Sequence, residues 1–333
     1  MSYLCLSVDV NYFGGYEIME MMMRAIAAHF ANGLGNFLMM MPALQAIASM
    51  AESKKIDLVL PDEWNDYRKE LIEDIAEAWP VINRVIHYPR ENVKEEDYDG
   101  WYWTAHGSSG QALQLFLRNM KHRAVARPAW RASLIHESDH YMEIAHALGY
   151  KGPVPVVEFP IAQYPVLNGI ERPVIALCNG AFKTQEWEKK HWPHFPKLAK
   201  TLKLYFGGTI IGVGRQNELH DVPLSIDYTG RLKIIEVATV LKQVDLFITT
   251  DTGLMHLADL MNIPMITLFG PTLTSKNAPR SKQAVVLQSG LPCAPCQDTT
   301  RFYNCQHYAC MENISVGDVI ASAKDKLRWR IER

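Results

Sequence analysis

One stretch between residues 244 and 269 constrains the fold most, because two apolar runs there flank a turn and a helical pattern. The run 244–248 predicts a strand that stops at Asp251, Thr252 and Gly253, where a helix begins. Asp and Thr are helix-capping residues, and Gly allows close approach to the backbone. A strand–turn–helix–strand unit places its turn at the carboxyl edge of a parallel sheet. The unpaired amides of the helix start then predict a phosphate site.

The composition is that of a soluble globular protein and excludes several function classes. The 333 residues are 48% hydrophobic and 21% charged, with a net charge of −2, which gives no reason to expect a nucleic-acid partner. No apolar run approaches the ~20 residues of a membrane-spanning helix, and no secretion signal opens the sequence. We therefore expect a cytoplasmic protein without a transmembrane segment. Peripheral association with the inner membrane stays open.

Strand-like and helix-like segments alternate through most of the sequence, which predicts an α/β protein. A proline-rich stretch, 151–173, interrupts the alternation. We therefore predict two Rossmann-like, doubly wound domains, 1–165 and 166–333, that face each other across a ligand-binding cleft. Residues 1–20 could add a hairpin to the first sheet. The predicted strands before the interruption are 24–30, 56–60, 85–88 and 100–104, and the predicted helices are 36–53 and 67–78.

Three weaker motifs follow other predicted strands. Gly33 and Gly35 allow a tight turn between a strand and a helix, although turn geometry alone can explain them. Lys189 and Lys190 lie in the loop after the strand that ends at Cys178, where a lysine could reach a phosphate; a solvated charged turn is the alternative. Glu218 comes shortly after a strand, where a carboxylate could bind ligand hydroxyl groups.

Four of the six cysteines crowd into 18 residues with the spacing C-x2-C-x8-C-x4-C: Cys293, Cys296, Cys305 and Cys310. In a cytoplasmic protein this crowding indicates a metal site more than disulfides. Four thiolates suit a tetrahedral zinc or iron ion, and the sequence does not choose between the two metals. A site closed by four protein ligands is structural and leaves no position for substrate. Reduced cysteines without metal are the alternative.

Taken together, these motifs resemble glycosyltransferase family 9, the bacterial heptosyltransferases, which have the two-Rossmann GT-B architecture. The resemblance covers most of the chain from about residue 24. In chain order, it rests on Gly35 with Pro42-Ala43-Leu44, Asn179-Gly180-Ala181, Lys190 with Trp192-Pro193, Asp251-Thr252-Gly253 with His256-Leu257-Ala258, Leu268-Phe269-Gly270-Pro271-Thr272, and Cys310-Met311.

The resemblance implies transfer of a sugar, with inversion, from a nucleotide-sugar donor to a hydroxyl group on a glycan or protein. ADP-heptose is the donor in much of the family. By motif match, Lys190 would lie beside the donor diphosphate and Glu218 at the ribose, on the C-terminal side of the cleft. The other donor-site residues would be Gly35, Asp251, Thr252, Gly253 and His256. The acceptor would lie on the N-terminal side, and the chemistry would need no metal ion or cofactor.

One position departs from the family pattern. The family's first loop usually ends Gly-Asp, and that aspartate is regarded as the catalytic base, but here the position is Asn36. An amide cannot take a proton, and base catalysis is typically worth 10²–10⁴-fold. Another residue could supply the base, for which His106 is the candidate, or the acceptor could need little help. A catalytically impaired sugar-nucleotide-binding protein and another GT-B-like enzyme, such as an epimerase, are the alternative functions.

Overall fold

The computed structural model describes residues 26–29, 33–61, 67–88, 90–91, 98, 100–103, 134–181, 187–307 and 309–331. These residues build two parallel sheets, one on each side of the proline-rich segment 151–173, which itself contains neither helix nor strand. The α/β prediction with two Rossmann-like domains is confirmed. The limits 1–165 and 166–333 stay a prediction, and the expected hairpin at residues 1–20 lies outside the described residues.

The first sheet has the order β3-β2-β1-β4, and its neighbouring strands are parallel. Its strands are β1 (Ile26–His29), β2 (Ile56–Pro61), β3 (Ile82–Tyr88) and β4 (Gly100–Trp103), and the helices of this half are α1 (Leu34–Met50), α2 (Tyr67–Ala78) and α3 (Glu137–Ala147). The helix predicted at 67–78 is confirmed. The helix predicted at 36–53 starts two residues earlier than expected, because Gly33 takes the extended N-cap conformation.

The second sheet is also parallel, with the order β10-β9-β8-β5-β6-β7. Its strands are β5 (Val174–Cys178), β6 (Thr209–Gly212), β7 (Ile226–Asp227), β8 (Leu246–Thr250), β9 (Met265–Phe269) and β10 (Ala284–Gln288). Its helices are α4 (Phe195–Phe206), α5 (Ile234–Gln243), α6 (Gly253–Leu260), α7 (Thr274–Asn277), α8 (Thr300–Asn304), α9 (Ala309–Glu312) and α10 (Val316–Ile331).

The strand expected at 244–248 forms two residues later in the sequence, as β8. Val244 still belongs to the end of α5, as its C-cap, so the strand begins only at Leu246. The Asp245 carboxylate between them accepts a hydrogen bond from the backbone N–H of Val174 (2.7 Å). Thr249 then pairs with Cys178 in the sheet register. Both strands therefore end at one edge, immediately before the turn at Asp251.

Helix α1 joins the two halves of the molecule. It is apolar on most of its faces, and Phe37, Met40 and Met41 have no exposed surface, as expected of a helix packed on several sides. It contacts α3 on one side and α6 of the second half on another. A single apolar core therefore continues from the first sheet to the second. Along the described residues, none of the helices combines the length and the apolar character needed to cross a bilayer.

Candidate functional site

Three predicted site residues meet at the carboxyl edge of the second sheet. β5 lies between β8 and β6, so the loops after these strands are neighbours. Lys190 comes from the 3₁₀ turn Glu188–Lys190 after β5, Glu218 from the loop after β6, and Asp251 directly from the end of β8. Ligands of parallel α/β sheets bind at such an edge. The sequence predicts that these three side chains belong to one site, and in the structure the loops that carry them are neighbours at this edge.

Lys190, Asp251 and His256 form a buried polar cluster at this edge. The Lys190 Nζ lies 3.4 Å from Asp251 Oδ2, and His256 Nε2 lies 4.0 Å from Asp251 Oδ1. The side chains are 12%, 6% and 7% exposed, respectively. Burial lowers the pKa of His256 to about 4, against the opposing effect of Asp251, so the imidazole is neutral at pH 7. The cluster thus consists of a lysine–aspartate ion pair beside a neutral imidazole ring.

The start of α6 presents a capped helix N-terminus to the cleft. Of the two capping candidates in the sequence, Asp251 and Thr252, the N-cap is Thr252, whose hydroxyl accepts a hydrogen bond from the Leu254 N–H (3.0 Å). The first turn of α6 carries no acidic side chain. The positive end of the helix dipole is therefore available to an anion from outside the helix.

The carboxylate of Glu218 is held between two glycines at the ends of β5 and β6. A Cβ on Gly214, whose φ is +125°, would lie 2.5 Å from Glu218 Oε2, and a Cβ on Gly180 would lie 3.1 Å from it. The guanidinium of Arg215 donates to Glu218 Oε1 (3.0 Å) and also contacts the Ala181 carbonyl. The sequence predicts a role for Glu218 but not for the residues that hold it. The positive φ of Gly214 and the contact between Gly180 and Glu218 have no local sequence pattern.

The first domain enters the site through the start of α1. A Cβ on Gly35 would lie 2.8 Å from His256 Cδ2, and a Cβ on Gly253 would lie 3.0 Å from the Leu34 side chain. The N-termini of α1 and α6 therefore touch through two glycines. Gly35 had been predicted for the donor site from its motif, and the fold places it against another predicted donor-site residue.

Asn36 lies in the first turn of α1, next to this contact. Its Oδ1 accepts a hydrogen bond from the hydroxyl of Tyr141 (3.4 Å), a residue of α3 with no exposed surface. The Asn36 amide therefore occupies the position at which the resemblance leads us to expect a carboxylate. His106, the predicted alternative, lies outside the described residues.

Polar contacts that sequence reasoning missed join the two halves on the α3 side of the cleft. Arg280 pairs with the Asp139 carboxylate through both terminal nitrogens, and His136 Nε2 lies 2.9 Å from the Ala278 carbonyl oxygen. Burial lowers the pKa of His136, and the Arg280 guanidinium lowers that of Asp139. The partners in each contact are more than 140 residues apart in the sequence, so no local sequence pattern predicts these contacts.

His191, next to Lys190, is a further residue that the sequence did not single out. Its Nε2 is buried, and none of the residues that the structure describes gives it a hydrogen-bond partner. Burial lowers the pKa of His191, while Glu218 acts in the opposite direction. A buried ring nitrogen without a partner is uncommon in folded proteins and is found at ligand sites.

All four predicted metal-ligand cysteines line one cavity of about 250 Å³, together with Lys189 and Arg301. All four are free of disulfides, and burial raises the pKa of Cys310 to about 11. Cys296 also has a raised pKa, through burial and the nearby thiols of Cys305 and Cys293. Along the described ranges, however, no three His, Cys, Asp or Glu side chains converge in a metal-binding arrangement.

Residues 293–310, the cysteine loop, pack against the carboxyl edge of the second sheet. We call this edge the donor edge, because the predicted donor-site residues Lys190, Glu218 and Asp251 lie there. The backbone N–H groups of Cys296 and Gln297 both donate to the Pro271 carbonyl (2.9 Å each), and Pro271 belongs to the turn that follows β9. The Gln297 side chain accepts from the Leu273 N–H (2.8 Å). The loop therefore packs at the same edge of the sheet as Asp251.

Two parallel α/β halves, whose carboxyl edges face one cleft, define a protein of the GT-B architecture. Comparison with known proteins agrees: the model of "Glycosyltransferase family 9 (heptosyltransferase)" matches residues 137–307, just over half of the chain. The chain belongs to this family.

The individual relatives that match the sequence are named as heptosyltransferases. Lipooligosaccharide heptosyltransferase 2 of Haemophilus influenzae is 30% identical over 133 residues, which are 35% of this chain and 37% of that protein. The chain thus matches little more than a third of the length of this relative.

Solved structures share the fold over a longer span. Escherichia coli ADP-heptose LPS heptosyltransferase II has a TM-score of 0.68 at 17% identity, over 92% of this chain and 99% of that one. The iron-containing dodecameric glycosyltransferase TibC of enterotoxigenic E. coli has a TM-score of 0.65 at 17% identity, over 93% and 80%, respectively. Another TibC structure contains ADP-D-β-D-heptose.

Proposed function

We propose that this protein transfers a heptose-like sugar from a nucleotide donor, ADP-heptose or a close analogue, to a hydroxyl group of a glycan or protein. The observation that carries the proposal is the convergence of Lys190, Glu218 and the start of α6 at one sheet edge, facing Gly35 of the other half. Family membership and the donor named for TibC support the same donor class.

The site residues suit the diphosphate and the ribose of such a donor. Lys190 and the amides at Thr252 and Gly253 would bind the diphosphate, because an ammonium and a helix start both favour phosphate. Glu218 would accept hydrogen bonds from the ribose hydroxyls, since its carboxylate is rigidly held by Arg215. His256, as a neutral ring, would contact the donor without adding charge.

Chemically, we propose an in-line displacement with inversion at the anomeric carbon. The acceptor oxygen forms a bond to that carbon while the bond to the diphosphate oxygen breaks through an oxocarbenium-like state. Negative charge then grows on the departing diphosphate, where Lys190 and the α6 dipole stabilise it. The acceptor hydroxyl loses its proton in the same reaction. Because Asn36 cannot accept that proton, we propose that another group does, with His106 as the candidate.

We also propose that the four cysteines hold a structural zinc or iron ion. The donor set suits a tetrahedral site, and all four thiols already line one cavity. TibC, a structural neighbour, is described as iron-containing. When bound, such an ion would supply a cross-link within the 293–310 loop and no chemistry on the sugar. A divalent ion with four thiolates carries a charge of −2, which Lys189 and Arg301 at the cavity would offset.

We further propose that the protein acts in the cytoplasm, because cysteines without disulfides suit that compartment.

The experiment is a transfer assay with purified protein, ADP-heptose and a panel of truncated lipooligosaccharide cores and peptides, followed by mass spectrometry. We expect ADP release that requires acceptor, together with an acceptor heavier by one heptose. A new sugar nucleotide formed from donor alone would instead indicate an epimerase and would overturn the proposal.

One observation favours a second function. The amide of Asn36 stands where the family has its presumed base, so the chain could bind sugar nucleotides without turning them over. In that case ADP-heptose would bind, but no acceptor would be modified at any pH. The transfer assay separates the two functions when it is paired with a binding measurement.

A further inference from the structure

Two adjacent lysines of the 3₁₀ turn Glu188–Lys190 contact different sites. Lys190 extends towards Asp251 at the donor edge. Lys189 is 5% exposed and lies at the cysteine cavity, where its Nζ donates to the Phe302 carbonyl (2.6 Å) and the Tyr303 carbonyl (3.3 Å). One short turn therefore stands between the donor site and the cysteine loop.

The contacts of Lys189 are those of a helix cap. Phe302 and Tyr303 lie in the last turn of α8, whose carbonyl groups lack partners within the helix. A lysine ammonium satisfies these carbonyls and also matches the negative end of the helix dipole. Helix α8 lies between Cys296 and Cys305, so Lys189 fastens the donor-side turn to the middle of the cysteine loop.

Trp187 makes a second connection between the same two places. Its ring packs against the Phe302 ring, with centroids 5.1 Å apart, and the Lys190 Nζ lies 5.0 Å from the Trp187 ring centroid. The Lys190 ammonium thus contacts the Trp187 ring, and this ring in turn packs against Phe302 of the cysteine loop. A shift of α8 would change the position of the turn, and with it the position of Lys190.

We propose that Lys189 is a positioning residue that couples metal loading of the cysteine loop to donor affinity. A metal ion bound by the four cysteines fixes the loop around α8, α8 holds Lys189, and the turn then presents Lys190 to the diphosphate. The coupling rests on the proposed function, because it requires that the donor nucleotide binds at Lys190. It acts on binding, and no reacting atom is touched by Lys189.

Calorimetric titration of ADP into the purified full-length protein tests the coupling without any measurement of turnover. The wild-type protein is titrated once loaded with zinc and once after removal of metal by a chelator. The variants Lys189→Met and Lys189→Arg are titrated in both forms, with Lys197→Met, an exposed lysine on α4, as the matched control. Melting temperatures are recorded for every sample.

We expect removal of zinc to weaken ADP binding by about tenfold in the wild-type protein and in Lys197→Met. Zinc-loaded Lys189→Met should bind ADP as weakly as the metal-free wild type, and metal removal should then change little. Lys189→Arg keeps a cation that can reach the carbonyls and should restore most of the coupling. Because coupling of affinities is reciprocal, ADP should also raise the zinc affinity of the wild type by the same factor, measured by equilibrium competition with a chelator.

Equal ADP affinity of zinc-loaded and metal-free wild-type protein would overturn the coupling, as would wild-type affinity in zinc-loaded Lys189→Met. A protein that takes up neither zinc nor iron would overturn the coupling as well, together with the proposed metal site. All of these results leave ADP binding intact and so leave the proposed sugar transfer standing. Absence of ADP binding to the loaded wild type would overturn both. If the metal-free protein unfolds, the comparison of loaded wild type with loaded Lys189→Met still decides.

Discussion

Gly35 and His256 approach so closely that a Cβ on the glycine would lie 2.8 Å from His256 Cδ2. Real Cβ atoms essentially never come this near to another heavy atom, so either the buried His256 ring or one of the two helices would have to move. Gly35 belongs to α1 and His256 to α6, in different halves of the protein. The two helices can therefore approach this closely at the donor edge only because Gly35 has no Cβ.

The first prediction concerns this contact. Gly35→Ala should separate α1 from α6 and lower kcat/KM for sugar transfer by roughly tenfold to a hundredfold, because small misplacements in a site are costly. Gly33→Ala is the matched control, since a Cβ there meets no heavy atom within 4 Å and its backbone is extended. Steady-state kinetics on both variants check the result, and equal rates for them would contradict the steric account.

Lys190 carries the second prediction. Lys190→Ala should lower kcat by about 10²-fold or more while the protein stays folded, because the ammonium opposes charge that grows on the diphosphate. Lys197→Ala removes an exposed lysine of α4 and should leave the rate unchanged. Turnover near the wild-type value in Lys190→Ala, with an unchanged circular dichroism spectrum, would remove this residue from the mechanism.

The third prediction is a loss of stability in acid. The folded-state pKa of His256 is lowered from 6.5 to about 4, so the unfolded chain binds a proton that the folded protein does not. The free energy of unfolding should therefore fall as pH drops from about 6.5 to about 4. Denaturant titrations across that range measure the slope.

His256→Gln should flatten this dependence, whereas His220→Gln, which removes an exposed histidine, should keep it. The pKa values of His136 and His191 are also lowered by burial, so part of the slope should survive in His256→Gln. An unchanged slope in that variant would show that the His256 imidazole titrates normally in the folded protein.

Asn36 gives the fourth prediction. Asn36→Asp puts a carboxylate at the position of the family's presumed base, and Tyr141 remains as its hydrogen-bond donor. Because we propose that another residue is the base, kcat should change little. A rise of about 10²-fold or more, the usual value of base catalysis, would instead indicate that the site has lost its base at this position. Single-turnover kinetics at several pH values distinguish the two, and Asn36→Ala serves as the matched control.

The cysteine loop gives the fifth prediction. Cys293→Ser should lower metal content and melting temperature more than it lowers kcat, because a closed four-thiolate site is structural. Elemental analysis of protein purified without chelator, together with differential scanning calorimetry, measures both. Wild-type protein that holds neither zinc nor iron under these conditions would refute the metal proposal.

Local features of the site were accessible from the sequence, and contacts between distant residues were not. The helix cap at Asp251 or Thr252 is predictable, because a capping residue that directly follows a predicted strand is a local sequence pattern, and the structure shows that Thr252 is the cap. The ion pair between Arg280 and Asp139 and the close contact between Gly35 and His256 depend on how the two halves of the protein pack. Such contacts join residues more than 140 positions apart, which no single-sequence periodicity encodes.

The most direct test of the account is the thermal stability of the protein with a panel of nucleotide sugars. A donor present at 100 times its dissociation constant should stabilise the protein by about 2.7 kcal/mol. We predict a rise in melting temperature with ADP-heptose in the wild type and a much smaller rise in Lys190→Ala. No rise with ADP-heptose or any other nucleotide sugar would contradict a donor site at this edge of the sheet.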